Sequence, residues 1–178
     1  FHLRRATPED LDFLVEVDLP DEGSSSDFYA NYSGAELKEH RRKMHSFVTD
    51  ESKRAWIHEA DGKRISLIAY SFRTKDEKMW DSDKVYDEID SSLFPSDGRF
   101  CEVFQLWVDP AYRRQGLATE LKSKMEGEAL ENGIGMLYTH TEEGNQHVID
   151  MNLKLGYKEV RRGPIWDEVI RVSLVKVL

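Results

Sequence analysis

The chain carries a single cysteine, Cys101, so no internal disulfide can form, which fits a reducing cytoplasm. No stretch approaches the roughly 18 to 20 apolar residues of a membrane span, so no membrane partner is expected. The opening FHLRRATPEDL lacks the apolar centre of a signal peptide, and no export address is expected. Basic residues are outnumbered, 25 against 34 acids, for a net charge of −9. A duplex-binding protein needs a basic face to displace counterions, so no nucleic-acid partner is expected either. The six histidines are scattered, with no HExxH and no Cys/His cluster at metal spacing, so no metal site is expected. There is no GxxxxGK[ST] phosphate loop. The closely spaced Gly133 and Gly135 precede a strand candidate instead of following one, which excludes a dinucleotide fingerprint.

What is present reads as alternating strands and helices in one domain over residues 1–178, because 178 residues suffice for one real core and are short for two. HLRRA at 2–6 is a short strand. The helix that follows starts on Thr7 as cap, Pro8 at the first helical position and Glu9 and Asp10 at the positive end of the dipole. Residues 34–50 form a second helix with Leu37, Met44 and Val48 available for burial. Residues 54–60 and 64–73 are two strands joined by a DGK hairpin turn. Residues 76–99 break the pattern as an acidic insertion between strands, with eight acids and three bases. The plainer reading is a solvated excursion, and as a functional surface it would be a lip for a cationic ligand. The apolar Trp80, Tyr86, Leu93 and Phe94 favour a segment that packs on something.

FCEVFQLWV at 100–108 is the most apolar strand candidate. A helix follows with Leu117, Leu121 and Met125 four apart and Gly133 as its stop. GMLYTH at 135–140 is another strand. The helix NQHVIDMNLKLG, residues 145–156, places Val148, Met151 and Leu155 at helical spacing with Gly156 as its stop, and two further strands close the chain. Strand–helix–strand over 100–140 gives an α/β or α+β class with a right-handed parallel crossover.

The turn VDPAYRRQGLATEL, residues 108–121, joins the apolar strand to a helix. A helix start offers unpaired N–H groups and about half a positive charge, and both favour an anion, phosphate above all. Gly116 lets backbone approach a ligand closely. Arg113 and Arg114 can add charge-assisted hydrogen bonds, although arginines before a helix are often only solvated.

Arg113-x-x-Gly116-x-Ala118 resembles the [Q/R]-x-x-G-x-[G/A] signature of the GNAT superfamily, the N-acetyltransferases that use acyl-coenzyme A. Asn145-x-x-Val-x-x-Met-Asn-x-x-Leu-Gly-Tyr is similar to that family's second cofactor segment, and LRRATPEDL to its first strand and helix. The likeness is strong over 100–160, plausible over 1–75 and absent over 76–99. It implies a GNAT-like mixed, partly open β-sheet with helices on both faces and splayed parallel central strands. It also implies acetyl-CoA as co-substrate. The backbone of Leu106, Trp107 and Val108 would bond the pantetheine arm. The backbone of Arg114, Gln115, Gly116, Leu117, Ala118 and Thr119 would cradle the pyrophosphate. Asn145 would contact the cofactor further along its arm. Many relatives carry a tyrosine as proton donor where this chain has Asn152, so the usual acid is missing. An amide there can still hydrogen-bond the sulfur or a water.

Acyl transfer needs the neutral amine. An alkyl amine with pKa ~10.4 must give up its proton at a cost of about 4.6 kcal/mol at pH 7. Glu102 is the candidate general base. A carboxylate among Phe100, Val103, Phe104 and Leu106 is out of keeping, and its register before Gly116 resembles that of the base in the histone-acetyltransferase branch. The plainer reading has Glu102 wetted at a strand end or paired with Arg99. Tyr138 and His140 are possible substitutes for the acid. Cys101 should point to the opposite face from Glu102, as a small buried residue. The four tryptophans are aromatic core by default, although they could line an acceptor pocket.

The expectation is therefore an acyl-CoA-dependent N-acetyltransferase acting on a primary amine, a small molecule or peptide. The acidic balance hints at a cationic acceptor, such as a polyamine, an aminoglycoside or an amino acid. A homodimer is compatible. The alternative is a non-catalytic acyl-CoA-binding sensor or subunit. A partner-binding domain that leaves the turn unused explains least of 100–160.

Overall fold

The computed structural model describes residues 1–22, 32–75 and 85–178. Their elements are β1 (His2–Arg5), α1 (Leu11–Glu22), α2 (Gly34–Thr49), β2 (Lys53–Ala60), β3 (Lys63–Thr74), β4 (Arg99–Val108), α3 (Leu117–Glu131), β5 (Met136–Glu142), α4 (Gln146–Lys154), β6 (Lys158–Pro164) and β7 (Ile170–Val177). The seven strands form a mixed open sheet in the order β1-β2-β3-β4-β5-β7-β6. The chain divides into two compact units, Phe1–Ser71 with Phe104–Met125, and Phe72–Val103 with Glu126–Leu178.

In the first unit α1 and α2 cover β2 and β3. Leu14, Val17, Met44, Phe47, Ala55, Ile57, Leu67 and Ala69 form its core. The hairpin turn is carried by Asp61 and Gly62, both at positive φ, the left-handed pair that suits a two-residue connection. Ser33 and Glu36 make a reciprocal cap at the start of α2. Of the face expected on α2, Met44 is buried while Leu37 and Val48 are half-buried; His40 and Phe47 complete it.

The start signal before α1 is realised in reverse. A 3-10 turn, Pro8–Asp10, precedes the helix, and the Asp10 carboxylate accepts the Thr7 N–H at 2.7 Å. Asp10 is fully buried and also accepts Arg4 Nη2 at 2.7 Å and Arg64 Nε at 2.6 Å. Burial pushes its carboxyl up, but hydrogen bonds from Arg4, the Thr7 N–H and Arg64 outweigh it. The group sits well below the usual carboxylate range.

In the second unit β5, β7 and β6 pair antiparallel, and β4 pairs parallel with β5 at Cys101↔Leu137 and Glu102↔Tyr138. Tyr86, Ile89 and Phe94 pack with Phe100, Met136, Tyr138 and Val175. The acidic excursion therefore contributes core over 85–98, while its residues 76–84, with Trp80, lie outside those described. On α4 the buried positions are Ile149 and Asn152, with Val148, Met151 and Leu155 half-buried. The helix is thus rotated by about one position from the face that its apolar spacing predicts.

Candidate active site

The turn after β4 belongs to the first unit. Asp109 accepts the Ala111 N–H at 2.9 Å and sets a short 3-10 turn, Pro110–Tyr112. Arg114 and Gly116 then both take positive φ, 63° and 81°, on either side of Gln115. Left-handed residues next to right-handed ones turn successive N–H groups toward one side, the geometry of an anion-binding nest. Among the described residues no backbone acceptor meets the N–H groups of Arg114, Gln115 and Gly116, and the first backbone bond after them is Glu120 N–H to Gly116 O at 3.0 Å. The first helical residues Leu117, Ala118 and Thr119 leave theirs free as any helix start does. A Cβ built on Gly116 would meet nothing within 4 Å, so that side of the turn is open among the described residues.

The arginines behave differently from one another. Arg113 folds back, its Nε donating to the Val108 carbonyl at 3.1 Å, and so braces the turn. Arg114 is exposed. On the strand, Leu106 N–H donates to Gln105 Oε1 at 3.0 Å, and Trp107 packs edge-on against Phe13 at 5.7 Å. In the second unit Asn145 caps α4 through its backbone carbonyl, while its amide donates to Thr141 Oγ1 at 3.0 Å. Asn152 is 1% exposed and its amide donates to the Val148 carbonyl at 3.0 Å. That side chain is thus built into the end of its own helix.

Glu102 lies in the second unit. Its partner is neither water alone nor Arg99. Oε2 accepts Arg73 Nη1 at 2.9 Å and the Tyr86 hydroxyl, and no described residue bonds Oε1. Burial, reinforced by the Glu102 charge, pushes the Tyr86 phenol far up, so it stays a donor. The opposite face holds Cys101, fully buried, as strand alternation requires.

Sheet register then brings a row of polar groups onto the Glu102 face. Tyr138 pairs with Glu102, and two residues on, His140 pairs with Ser173, which in turn pairs with Arg161. The Tyr138 hydroxyl lies 3.2 Å from His140 Nδ1 and 3.2 Å from Ser173 Oγ, and accepts Arg161 Nη2 at 2.9 Å. Burial raises the Tyr138 phenol and lowers the His140 imidazole, which favours the neutral form of each. Trp166, 57% exposed, stands edge-on to His140 at 5.2 Å. Of the other tryptophans, Trp56 lies under Lys124 at 4.2 Å and Trp107 packs on the first unit's core.

Sequence reasoning named Glu102, Tyr138 and His140, and the structure brings these three together. It missed Arg73, Tyr86, Ser173 and Arg161. Tyr86 alone gave a signal, as an apolar residue inside a charged segment. Chemically, the row offers a carboxylate with one open oxygen beside a neutral phenol and a neutral imidazole. That set can accept one proton and donate another.

A family model of the acetyltransferase (GNAT) family matches residues 21–157. No curated protein matches the sequence. Among solved structures, NAA60 of Arabidopsis thaliana in complex with acetyl-CoA is similar at 17% identity and a TM-score of 0.73, covering 99% of this chain and 98% of that one. The PaiA N-acetyltransferase of Thermoplasma acidophilum in complex with coenzyme A is similar at 15% identity and a TM-score of 0.63, over 99% and 98%. The ribosomal-protein-S18-alanine N-acetyltransferase of Escherichia coli is similar at 14% identity and a TM-score of 0.65, over 99% and 92%. At such identities these likenesses speak for the fold, and the family match over most of the sequence decides the rest: the chain belongs to the acetyltransferase (GNAT) family.

Proposed function

We propose that this chain transfers the acetyl group of acetyl-CoA to a primary amine by direct attack, with Glu102 as the general base. The observation that carries the reading is the Glu102 carboxylate, anchored through Oε2 by Arg73 and Tyr86 while Oε1 has no partner among the described residues. A fixed carboxylate with one open oxygen is what an ammonium group, or a water between, needs as proton acceptor. The amine nitrogen then forms its bond to the thioester carbonyl carbon, the C–S bond breaks, the sulfur leaves with the electron pair, and the nitrogen gives up its second proton, which makes good the proton that the sulfur takes. Tyr138, held by Arg161, Ser173 and His140, is the group suited to protonate that sulfur.

Acetyl-CoA supplies the activated acyl group. The turn Arg114–Thr119 suits its pyrophosphate through backbone N–H groups, with Arg113 as a brace and Arg114 as the freer cation. Leu106, Trp107 and Val108 suit the pantetheine arm, and Asn145 a point further along it. The likeness to proteins solved with acetyl-CoA or coenzyme A supports the co-substrate. Asn152 fits better as a helix-end residue than as a cofactor contact, given its burial and its bond to Val148. The single buried thiol suits a reducing compartment, the cytoplasm. No helix among the described residues is long and apolar enough to cross a membrane.

The test is a calorimetric titration with acetyl-CoA followed by thiol release over a panel of primary amines. Binding with turnover is expected. Binding without turnover on any amine would favour the sensor, and no binding would defeat the reading altogether.

A further inference from the structure

Arg161 is a half-buried cation without a carboxylate. Its Nε donates to Ser173 Oγ at 3.1 Å, its Nη2 to the Tyr138 hydroxyl at 2.9 Å, and its Nη1 to the Val85 carbonyl. All three acceptors are neutral, and among the described residues no acid forms an ion pair with it. A guanidinium has five N–H donors. One on Nη1 and one on Nη2 therefore remain, the pair that grips a carboxylate bidentately.

The backbone aims this side chain on purpose. In β6 the register steps from Glu159↔Leu174 to Arg161↔Ser173, a bulge that leaves Val160 as the extra residue. With regular pairing Val160 would oppose Ser173, and Arg161 would fall on the other face. Bulges that re-aim a side chain are over-represented next to active sites. Here the bulge brings Arg161 onto the face of Tyr138, His140 and Glu102.

Among the described residues, charge around that row runs against the sign of the whole chain. Glu102 is matched by Arg73, His140 is held neutral by burial, and Arg171 is matched by Asp167 at 2.6 Å. Among the described residues Arg161 is left as one positive charge without an ion-pair partner, in a protein of net charge −9. A polyamine or aminoglycoside would meet a like charge there.

We propose that Arg161 binds a carboxylate of the acceptor, so that the acceptor is a small amino-carboxylic acid, with the amine directed to Glu102 and the carboxylate to the free edge of Arg161. Trp166, exposed beside His140, is placed to cover the body of such a molecule. The inference rests on the amine-acetylation reading above.

The experiment compares thiol release from acetyl-CoA with the free α-amino acids and with their α-amides, for wild type, Arg161→Gln and Arg161→Lys. In wild type the best acid should exceed its amide by about 10- to 100-fold in kcat/KM, the range of a hydrogen-bonded charged pair. Arg161→Gln should erase that preference, with kcat/KM for the acids falling about 10-fold or more further than for the amides, mainly through KM. Any loss of kcat common to both reports the bond of Arg161 to Tyr138, and Arg161→Lys should restore part of the preference. Amides as good as acids in wild type would overturn the proposal, as would peptide N-termini outrunning both. A loss in Arg161→Gln that is equal for acids and amides would also overturn it, because it would leave Arg161 only a structural part. The second readout needs no turnover: calorimetric binding of N-acetylated amino acids against N-acetylated amino-acid amides. Preferential binding of the acids, lost in Arg161→Gln, sustains the carboxylate site even if every amine fails to react, a failure that would count against acetyl transfer alone. Equal or absent binding of the two overturns the site.

Discussion

Arg73 Nη1 lies 2.9 Å from Glu102 Oε2, and the two side chains are only 14% and 16% exposed. The pair joins the C-terminal end of β3 to β4, so a cation distant in sequence fixes the carboxylate that stands out in an apolar strand. Tyr86, from the segment between those strands, closes on the same oxygen. Such anchoring keeps the carboxylate from turning away and leaves its second oxygen without a partner among the described residues.

Glu102→Gln keeps the shape and both anchoring contacts are partly retained, but the amide accepts no proton. Turnover of an accepted amine should fall by about 10² to 10⁴, the typical contribution of a positioned base. Acetyl-CoA affinity by calorimetry should stay within about 3-fold, since that change touches no cofactor group. An unchanged kcat and pH profile would remove Glu102 from the reaction.

Gly116→Ala separates backbone strain from ligand contact. At φ 81° an alanine is strained, by about 1 to 2 kcal/mol, yet its Cβ meets nothing of the protein within 4 Å. Thermal unfolding should therefore show a modest loss. If the turn cradles the pyrophosphate as proposed, acetyl-CoA affinity should fall by about 10-fold or more, because the added methyl would block close backbone approach. If affinity falls no more than stability explains, the cradle is misplaced. Arg113→Ala should weaken binding by loosening the turn that its Nε holds at Val108.

The parts that were legible in sequence depend on neighbours within a few residues. Gly116 marked a strand-to-helix turn open to close backbone approach, Asp61 and Gly62 marked their hairpin, and Pro8, Glu9 and Asp10 a helix start. Glu102 was visible because a charge in an apolar run is locally anomalous. Its partner was not, since Arg73 meets it only through strand pairing across the insertion. Arg161 was hidden twice over. It sits in an unremarkable basic stretch, and a one-residue bulge decides which face it serves. The rotation of α4 was missed because Asn152, a polar residue, takes a buried position that an apolar pattern cannot flag.

His140 should titrate below the ordinary histidine value of ~6.5, followed by its ring signals in NMR. Burial is the main cause, with Glu102 opposing and Arg171 and Arg161 adding to the shift. Arg161→Gln should move the midpoint up. The sign for stability follows. Because the folded state binds this proton less readily than the unfolded one, stability should fall as pH drops from about 6.5 toward the folded midpoint. His140→Gln should flatten that part of the curve of Tm against pH. A ring that titrates at or above 6.5 would contradict the burial argument.

Asp10 offers the opposite test. Its carboxylate joins Arg4 and Arg64 with no exposure of its own. Asp10→Ala removes the buried acceptor of Arg4, Arg64 and the Thr7 N–H, and should cost about 1 to 3 kcal/mol in denaturant unfolding, less than a fully buried pair because both guanidinium groups are partly exposed. Arg4 also holds Glu59 at 2.7 Å, which cushions one of those cations. The folded carboxyl lies below its unfolded value, so its stabilisation is complete above the ordinary carboxylate pKa of ~3.9 and is lost as pH falls below that point. Between pH 5 and 8 the wild type and Asp10→Ala curves should run parallel, and they should converge only under acid. Parallel curves down to pH 2 would show that the buried charge contributes nothing through its proton.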